Sequence, residues 1–428
     1  MRDPSRSGRW KVADDLDSVF RREAGPCTAT LIRILGDIDL AEDAVAEAFA
    51  VAAANWKVHG IPPNPGGWIM STARNRAIDR IRRESTRDGR QKTAARLQGD
   101  LMNSDHNPEL DDLDALVDVV RDDQLRLMFL CCHPSLAPDA QVALTLRLLG
   151  GLQTAEIARA FLVPEATMAQ RLVRAKRKLR DNHAPYRIPS EADLPDRLDA
   201  VLGAIYLVYT EGHTATFGVA LGRVDLSVEA IRLGRVLGQL MPDEPEATGL
   251  LALMLLTQAR QPARVGADGT LVRLAEQDRT GWDRSLIEEG HRLVRACLRW
   301  NQPGSYQIQA AIAAVHADAS SSDDTDWSQV VALYDQLLTF SPNAVVALNR
   351  AIALGELRGP AAGLAALEAV DATSLADYQP YHTTRADLLS RAGFPDDAIA
   401  AYDEAIALTT NATELAFLQR QRRSIPHA

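Results

Sequence analysis

Apolar residues recur at intervals of three and four positions along most of the chain, which is the spacing of amphipathic helices. The clearest case begins at Glu165, where one apolar stripe runs along a predicted helix. Its members fall at i, i+4, i+7 and i+11: Met168, Leu172, Ala175 and Leu179. Alternating runs of β-branched residues are almost absent. The hydrophobic pattern therefore predicts an all-α protein.

The side of this helix opposite the stripe is basic. Residues 171–180 contain six cations and no anion. The polar side presents five side chains: Thr167, Gln170, Arg171, Arg174 and Lys178. A run of charge alone is more often a solvated helix face than a binding site, so a second observation is needed.

A short helix predicted just upstream supplies that observation. Residues 154–161 have a helical pattern with Thr154 as the expected N-cap, and residues 162–164 form a tight turn. Ala158 is small where the two helices must cross closely. Two helices at this spacing predict a helix-turn-helix whose second, basic helix enters the major groove of DNA. A helix pair with a purely structural role is the alternative.

A second basic helix is predicted nearer the N-terminus, after the Pro- and Gly-rich loop of residues 60–67. We expect it to begin at Trp68. Its apolar stripe contains Met70, Ala73, Ala77 and Ile81, and its basic stripe contains Arg76, Arg80 and Arg83. Such a helix suits a phosphate backbone passing over it. Ser71 and Asn75 lie on the turns nearest the loop, where a hydroxyl and an amide suit an exposed base.

Two amphipathic helices are predicted before that loop, over residues 14–36 and 40–56, with a break in the first at Gly25–Pro26. Asp43 and Glu47 lie four residues apart on one exposed side of the second helix. Acidic residues early in a helix interact favourably with its dipole, so the pattern by itself indicates no more than solubility.

Charge divides the first half of the chain into modules. The chain has 428 residues and a net charge of −10, yet residues 71–93 hold eight Arg and Lys against three acids. Residues 99–125 hold nine acids and one Arg. We therefore predict an acidic linker, residues 91–114, between modules at 11–90 and 115–183. An acidic chain does not coat nucleic acid non-specifically, so DNA binding would depend on the local basic faces.

The remainder of the chain is predicted to be helical, with an extension over 190–310 and repeats over 311–420. Gly359 and Gly393 are 34 residues apart, and each precedes a predicted helix. A period of 34 residues is typical of tetratricopeptide (TPR) repeats. Two interpretations remain open: a structural solenoid, or a concave surface that binds a protein partner.

Several kinds of chemistry find no support in the sequence. The four cysteines (Cys27, Cys131, Cys132, Cys297) do not resemble a disulfide framework, and Cys131–His133 gives poor metal geometry. The histidines are scattered, so we expect no catalytic residue, metal or cofactor. There is no apolar signal segment and no run of about eighteen apolar residues. We expect a cytoplasmic protein that is not an enzyme and makes no membrane contact.

Three segments, in order and spacing, resemble a bacterial extracytoplasmic-function (ECF) sigma factor of the sigma-70 family. They are residues 39–49, residues 67–83 and the helix-turn-helix that ends with Arg174-Ala-Lys-Arg-Lys-Leu179. The resemblance covers about residues 11–183, whose halves would be sigma region 2 and region 4. Residues 129–134, residues 148–152 and the repeats resemble the ECF group with a C-terminal TPR-like extension.

The resemblance implies two small helical sigma domains followed by a TPR-like solenoid, with core RNA polymerase and promoter DNA as partners. It gives Asp43 and Glu47 a role in polymerase binding. It assigns minus-ten DNA to seven residues: Trp68, Ser71, Arg74, Asn75, Arg76, Arg80 and Arg83. It assigns minus-thirty-five DNA to the polar side of the basic helix: Thr167, Gln170, Arg171, Arg174 and Lys178.

Two other interpretations remain. A polymerase-independent helix-turn-helix regulator with a TPR sensor explains residues 171–180, but leaves residues 68–83 and Asp43 without a role. A scaffold whose basic helices bind acidic partners is the third. In the sigma-factor interpretation, the repeats regulate the sigma modules, directly or by binding another protein.

Overall fold

A computed structural model describes residues 5–88, 113–161, 163–190, 192–215, 221–266, 269–370 and 375–425. The chain forms two compact units, residues 1–204 and residues 205–428. Across these ranges every regular element is helical, and an isolated bridge joins Val265 and Leu271. The predicted all-α fold is confirmed. The predicted acidic linker lies outside the described residues, except for its last two positions.

The described part of the first unit contains helices α1 (Ser5–Leu35), α2 (Ile38–His59), α3 (Pro65–Asp88), α4 (Leu113–Cys131), α5 (Pro138–Leu148), α6 (Thr154–Ala160) and α7 (Glu165–Asp181). Helix α8 (Leu194–His213) includes the boundary between the units. None of the helices in the described ranges is both long and apolar enough to cross a membrane.

The second unit continues with α9 (Val224–Leu240), α10 (Pro245–Gln258), α11 (Arg284–Trp300), α12 (Ser305–Asp318), α13 (Trp327–Phe340), α14 (Ala344–Arg358), α15 (Pro360–Glu368), α16 (Gln379–Ala392), α17 (Pro395–Leu408) and α18 (Ala412–Ser424). Between α10 and α11 lie three short 3₁₀ turns: Gln261–Ala263, Leu274–Glu276 and Arg279–Gly281.

The expected break in α1 is wrong, because the helix continues through Pro26. A proline inside a helix removes one backbone hydrogen bond and costs about 3 kcal/mol. Tertiary packing offsets this cost: Ala24, Cys27 and Leu31 are buried on the same helix. The sequence around Pro26 shows that a proline would weaken the helix there. It does not show that the neighbouring side chains are buried against other helices.

Helix α3 begins three residues before the expected Trp68, at Pro65. Proline is tolerated there because the first turn leaves its N–H groups unpaired in any case. The Asn64 carboxamide accepts a hydrogen bond from the Gly67 N–H at 2.9 Å, which caps the helix. In the apolar stripe, Ile69 is buried in place of Met70, together with Ala73 and Ala77.

The helix-turn-helix is formed by α6 and α7. Its cap differs from the prediction, since Gln153 precedes the helix and its N–H donates to the Glu156 carboxylate at 2.7 Å. The Val163 N–H donates to the Ala158 carbonyl at 3.0 Å and closes the turn. The predicted apolar stripe of α7 is confirmed, because all four members are buried: Met168, Leu172, Ala175 and Leu179.

Paired helices build the C-terminal part of the second unit. Gly359 joins α14 to α15 with φ of +90°, and Gly393 joins α16 to α17 with φ of +86°. A positive φ favours glycine, because other residues place a Cβ against the backbone there. The two glycines share a positive φ but differ in ψ, which is 164° at Gly359 and 26° at Gly393, so the turn conformation itself is not repeated. The assignment of these pairs to the TPR class stays a prediction.

Candidate nucleic-acid interface

Helix α7 presents its polar side to solvent. Gln170, Arg171, Arg174 and Lys178 are exposed and Thr167 is half-buried, opposite the buried stripe. Within the described ranges, the four exposed side chains have no side-chain hydrogen bond or ion pair. Amide and guanidinium groups in such a row match the donor and acceptor patterns of base edges in the major groove. The geometry therefore suits duplex readout.

The C-terminal half of α7 faces α2 instead. Lys176 Nζ lies 2.5 Å from Asp39 Oδ1 and 3.1 Å from Glu42 Oε2. Arg180 lies 3.4 Å from Asp39, and Arg147 of α5 lies 2.5 Å from Glu42. Burial alone would lower the pKa of Lys176, but Glu42 and Asp39 outweigh burial and raise it. The contacts of Lys176 and Arg180 with Asp39 and Glu42 are the α2–α7 ion pairs.

Close backbone packing accompanies the α2–α7 ion pairs. A Cβ added to Gly25 of α1 would lie 2.9 Å from the Leu149 carbonyl oxygen. Gly151, at φ +69°, leaves room for the Phe20 ring, which an added Cβ would approach to 3.0 Å. The two predicted modules therefore belong to one compact unit, an arrangement that the acidic-linker prediction did not include.

A buried carboxylate also joins the two modules. Asp123 of α4 is fully buried, and its Oδ2 accepts a hydrogen bond from Arg33 of α1 at 2.9 Å. The Tyr186 hydroxyl donates to the Ala29 and Asp123 carbonyls, at 2.7 and 3.0 Å. Burial, with the nearby Asp123 carboxylate, raises the pKa of Tyr186. The hydroxyl therefore stays protonated and remains a donor.

Helix α3 places its predicted DNA residues on the surface of the first unit. The half-buried Trp68 ring packs edge-on against the buried Trp56 ring, with centroids 5.3 Å apart. The Ser71 hydroxyl donates to the Gly67 carbonyl at 2.9 Å, which leaves its lone pairs as acceptors. Asn75 is exposed one turn further along. This corner can offer one amide, one hydroxyl and one indole to a ligand.

Arg76, Arg80 and Arg83 follow one another along one side of α3, where Arg76 and Arg80 are half-buried and Arg83 is exposed. Arg74, two residues before Arg76, is half-buried on another side of the helix. Arg80 Nη1 lies 2.6 Å from the Asp43 carboxylate of α2. From the sequence we expected Asp43 to bind polymerase and Arg80 to bind DNA, whereas the structure pairs these two residues with each other. Glu47 is exposed one turn beyond Asp43.

Sequence reasoning missed the residues that hold α2 to α7. Asp39, Glu42 and Lys176 carry ordinary charges on their own helices, and the partners Glu42 and Lys176 are 134 positions apart in the chain. The pattern of one helix shows which side is polar, but not which other helix faces it. The only available signal was the position of Lys176, which lies off the exposed row of α7.

The Cys131–Cys132–His133 run lies at the end of α4. Both thiols are buried, and burial raises the pKa of Cys132 to about 11. His133 Nδ1 lies 2.8 Å from the Ser135 hydroxyl. In the ranges that the structure describes, no group of three or more His, Cys, Asp or Glu residues is placed to hold a metal ion.

Comparison with known families assigns a class to these elements. Residues 19–87 match the family described as Sigma-70 region 2, and residues 126–179 match Sigma-70, region 4. Residues 197–298 match a family of unknown function, DUF6596. The first unit thus carries the region 2 and region 4 domains of a sigma-70 family sigma factor.

Similar proteins extend the match to nearly the whole chain. "Uncharacterized protein R00370" of Rhizobium meliloti (strain 1021) is 43% identical over 395 residues, which cover 91% of each chain. The chain belongs to the same family as that protein. "Probable ECF RNA polymerase sigma factor SigI" of Mycobacterium tuberculosis, in strains CDC 1551 and H37Rv, is 28% identical over 170 residues, 40% of this chain and 56% of SigI. No solved structure matches the chain.

Proposed function

We propose that this chain is an ECF sigma factor of the group with a C-terminal TPR-like extension. It binds core RNA polymerase in the cytoplasm, recognises promoter DNA and initiates transcription, with no catalytic activity of its own. The observation that carries the proposal is the pair of basic helices, α3 and α7, within the matched region 2 and region 4 domains. A polymerase-independent regulator would use α7 but give α3 no role.

Helix α7 reads the minus-thirty-five element as a duplex. Gln170 suits adenine and Arg171 suits guanine, because each can form two hydrogen bonds to one base edge. Thr167, Arg174 and Lys178 complete the polar side of the helix. Each good pair of such bonds contributes about 1–3 kcal/mol of discrimination.

Helix α3 holds the melted minus-ten strand. Arg74, Arg76, Arg80 and Arg83 follow its phosphates. Trp68, Ser71 and Asn75 surround a base turned out of the stack, which costs a few kcal/mol to extrude. Because Trp56 is buried and Trp68 is half-buried, stacking on these rings is limited, and hydrogen bonds must offset much of that cost.

Asp43 and Glu47 bind a basic surface of the polymerase. Because Asp43 is paired with Arg80, polymerase binding and DNA binding are coupled in this proposal. When Asp43 turns to the polymerase, it no longer neutralises Arg80, so Arg80 attracts a phosphate group more strongly.

The two modules must also separate. Elements centred at minus ten and minus thirty-five are about 25 base pairs apart, or about 85 Å at 3.4 Å per base pair. A compact unit of 204 residues has a radius of gyration of about 17 Å and a diameter of about 43 Å. The α2–α7 ion pairs therefore hold a conformation that must open on the promoter.

The second unit regulates this activity, either directly or by binding another protein. Truncation after residue 189 should change transcriptional output or its response to a signal. Unchanged output and response would exclude a regulatory role.

Run-off transcription with core polymerase tests the proposal. On a promoter mapped from native transcripts, the chain should be required for the product, and Arg171→Ala should reduce it about tenfold, which corresponds to about 1.4 kcal/mol. Asn75→Ala should also reduce the product while leaving duplex binding intact. Arg295→Ala, which removes an exposed cation of α11 in the second unit, is the matched control. Sequence-specific duplex binding without polymerase-dependent transcripts would contradict the proposal.

A further inference from the structure

Helix α2 carries four acidic residues on one side. Asp39, Glu42, Asp43 and Glu47 fall at i, i+3, i+4 and i+8, a spacing that places them on neighbouring turns of one helix face. Asp43 and Glu47 are the proposed polymerase-binding residues. In a helix the Cβ atoms of residues four apart lie about 6 Å from each other, so Asp39 is next to Asp43. A basic surface that reaches Asp43 is therefore also within reach of Asp39.

Cations of α5 and α7 already occupy part of this acidic side. Lys176 contacts both Asp39 and Glu42, Arg180 adds a contact to Asp39, and Arg147 adds one to Glu42. The Lys176 side chain is 14% exposed and the Glu42 side chain 17%. Solvent therefore screens this contact less than it screens an ordinary surface ion pair.

The contact between α2 and α7 is not completely packed. A cavity of about 280 Å³ lies beside it, and charged side chains form part of its wall: Asp37, Asp39, Lys176, Arg180 and His183. This volume is large enough for several water molecules. Charges that face such a space can exchange one partner for another at a lower cost in desolvation than charges in a dry core.

Polymerase and α7 cannot both hold this side of α2. A basic surface that binds Asp43 and Glu47 would meet the cations of Lys176 and Arg180 beside it, and like charges placed together at an interface strongly disfavour binding. If α7 leaves, this repulsion is removed. The carboxylate of Asp39 then faces the same basic surface as Asp43.

We propose that α7 competes with core polymerase for α2, and that Asp39 and Glu42 bind polymerase once Lys176 and Arg180 have left them. The free chain is therefore autoinhibited, because only the fraction with α7 released binds polymerase at full affinity. This competition rests on the proposed function, since it concerns the helix that binds polymerase there. It makes polymerase, and not promoter DNA, the partner that first separates the two modules.

Equilibrium binding of the full chain to core polymerase, at one ionic strength, tests the competition. Lys176→Gln removes the central cation, so the open fraction increases and Kd should fall about fivefold or more. Arg180→Gln, at a side chain that is 59% exposed, should lower Kd by a smaller factor. Lys176→Arg keeps the charge and should leave Kd unchanged. Arg177→Gln, the matched control, removes a cation that is 75% exposed and paired with Asp181 of its own helix, and should also leave Kd unchanged.

A second substitution in the Lys176→Gln chain tests the added polymerase-binding residues. There Asp39 has lost its nearest cation within the chain, so Asp39→Asn should raise Kd for polymerase about threefold, as expected for one ion pair at an interface. Asp139→Asn removes an exposed acid of α5 and should not change Kd. An unchanged Kd with Asp39→Asn would overturn the assignment of Asp39 to polymerase.

The failure of the competition differs from the failure of the proposed function. If the unsubstituted chain binds polymerase, and neither Lys176→Gln nor Arg180→Gln binds it more tightly, the competition is overturned. Because the Arg180 side chain is exposed, misfolding does not explain that result. If the unsubstituted chain does not bind polymerase at all, the proposed function is overturned together with the competition.

Discussion

At the scale of single residues, one buried carboxylate joins helices α1 and α4 of the first unit. Asp123 is fully buried, and it accepts hydrogen bonds from Arg33 at 2.9 Å and Arg126 at 3.0 Å. Its neighbour Asp122 is 57% exposed and lies 3.7 Å from Arg126. The two aspartates have the same charge and adjacent positions, so only burial and geometry distinguish them.

We predict that Asp123→Asn destabilises the first unit by about 1–3 kcal/mol, because the substitution removes the buried carboxylate that Arg33 and Arg126 share and leaves Arg126 only the exposed Asp122. Asp122→Asn should cost less than about 0.5 kcal/mol, as expected for an exposed pair. Urea unfolding of both variants measures the difference. Equal costs would show that the Asp123 contacts do not hold the unit together.

A pH dependence belongs to the same scale. The pKa of His316 is lowered to about 4, whereas an unfolded histidine titrates near 6.5. Between these values the unfolded chain binds a proton that the folded chain does not, so stability falls as pH falls. From pH 8 to pH 5, His316 should remove about 2 kcal/mol.

The variant His316→Gln should lose that part of the pH dependence in urea unfolding of the second unit. His213, whose pKa burial and then Arg264 lower to about 2, should keep a similar contribution in both proteins. An identical loss of stability in His316→Gln and the unsubstituted chain would show that His316 is protonated in the folded state.

At the scale of elements, the sequence predicted each helix better than the contacts between helices. The stripe of α7 was predicted completely, because burial of one helix side follows from spacing alone. The continuity of α1 was missed, since it depends on the packing of Ala24, Cys27 and Leu31. For the candidate site, the exposed row of α7 follows from the same spacing. The Asp43–Arg80 and Glu42–Lys176 pairs join separate helices, so no local pattern contains them.

Helix α1 contacts the turn before α6 at Gly25. We therefore predict that alanine substitutions at Gly25 and at Gly203 change the stability of the protein in opposite directions. In an isolated helix, Gly25→Ala would stabilise by about 1 kcal/mol. Here the added Cβ would lie 2.9 Å from the Leu149 carbonyl oxygen, so we expect a loss of about 1–3 kcal/mol instead. Gly203→Ala in α8, which meets no atom within 4 Å, should stabilise the protein. Denaturant unfolding of both variants measures the two changes in stability. If the Gly25→Ala variant is more stable than the unsubstituted chain, the packing of α1 on this turn is contradicted.

At the scale of the whole molecule, a unit that carries sigma region 2 and region 4 domains is followed in the chain by a helical unit. Residues 197–298 match a family of unknown function, and the TPR class and partner of the helical unit stay predictions. The first unit presents two basic helices in a conformation smaller than the distance between the two promoter elements. The proposed function therefore predicts a change in the distance between region 2 and region 4.

Fluorescence transfer between labels on the two modules measures that distance. Arg22 of α1 and Ala137 before α5 are exposed, and the four native cysteines are buried, so cysteines placed at these two positions can be labelled selectively. The free chain should give a distance below about 45 Å. Lys176→Gln should lengthen it, whereas Arg177→Gln, which removes a cation that is 75% exposed, should not.

In a complex with core polymerase and promoter DNA, the distance should exceed about 60 Å, because the modules then follow elements about 85 Å apart. A distance that stays below about 45 Å in a complex that transcribes would contradict the account.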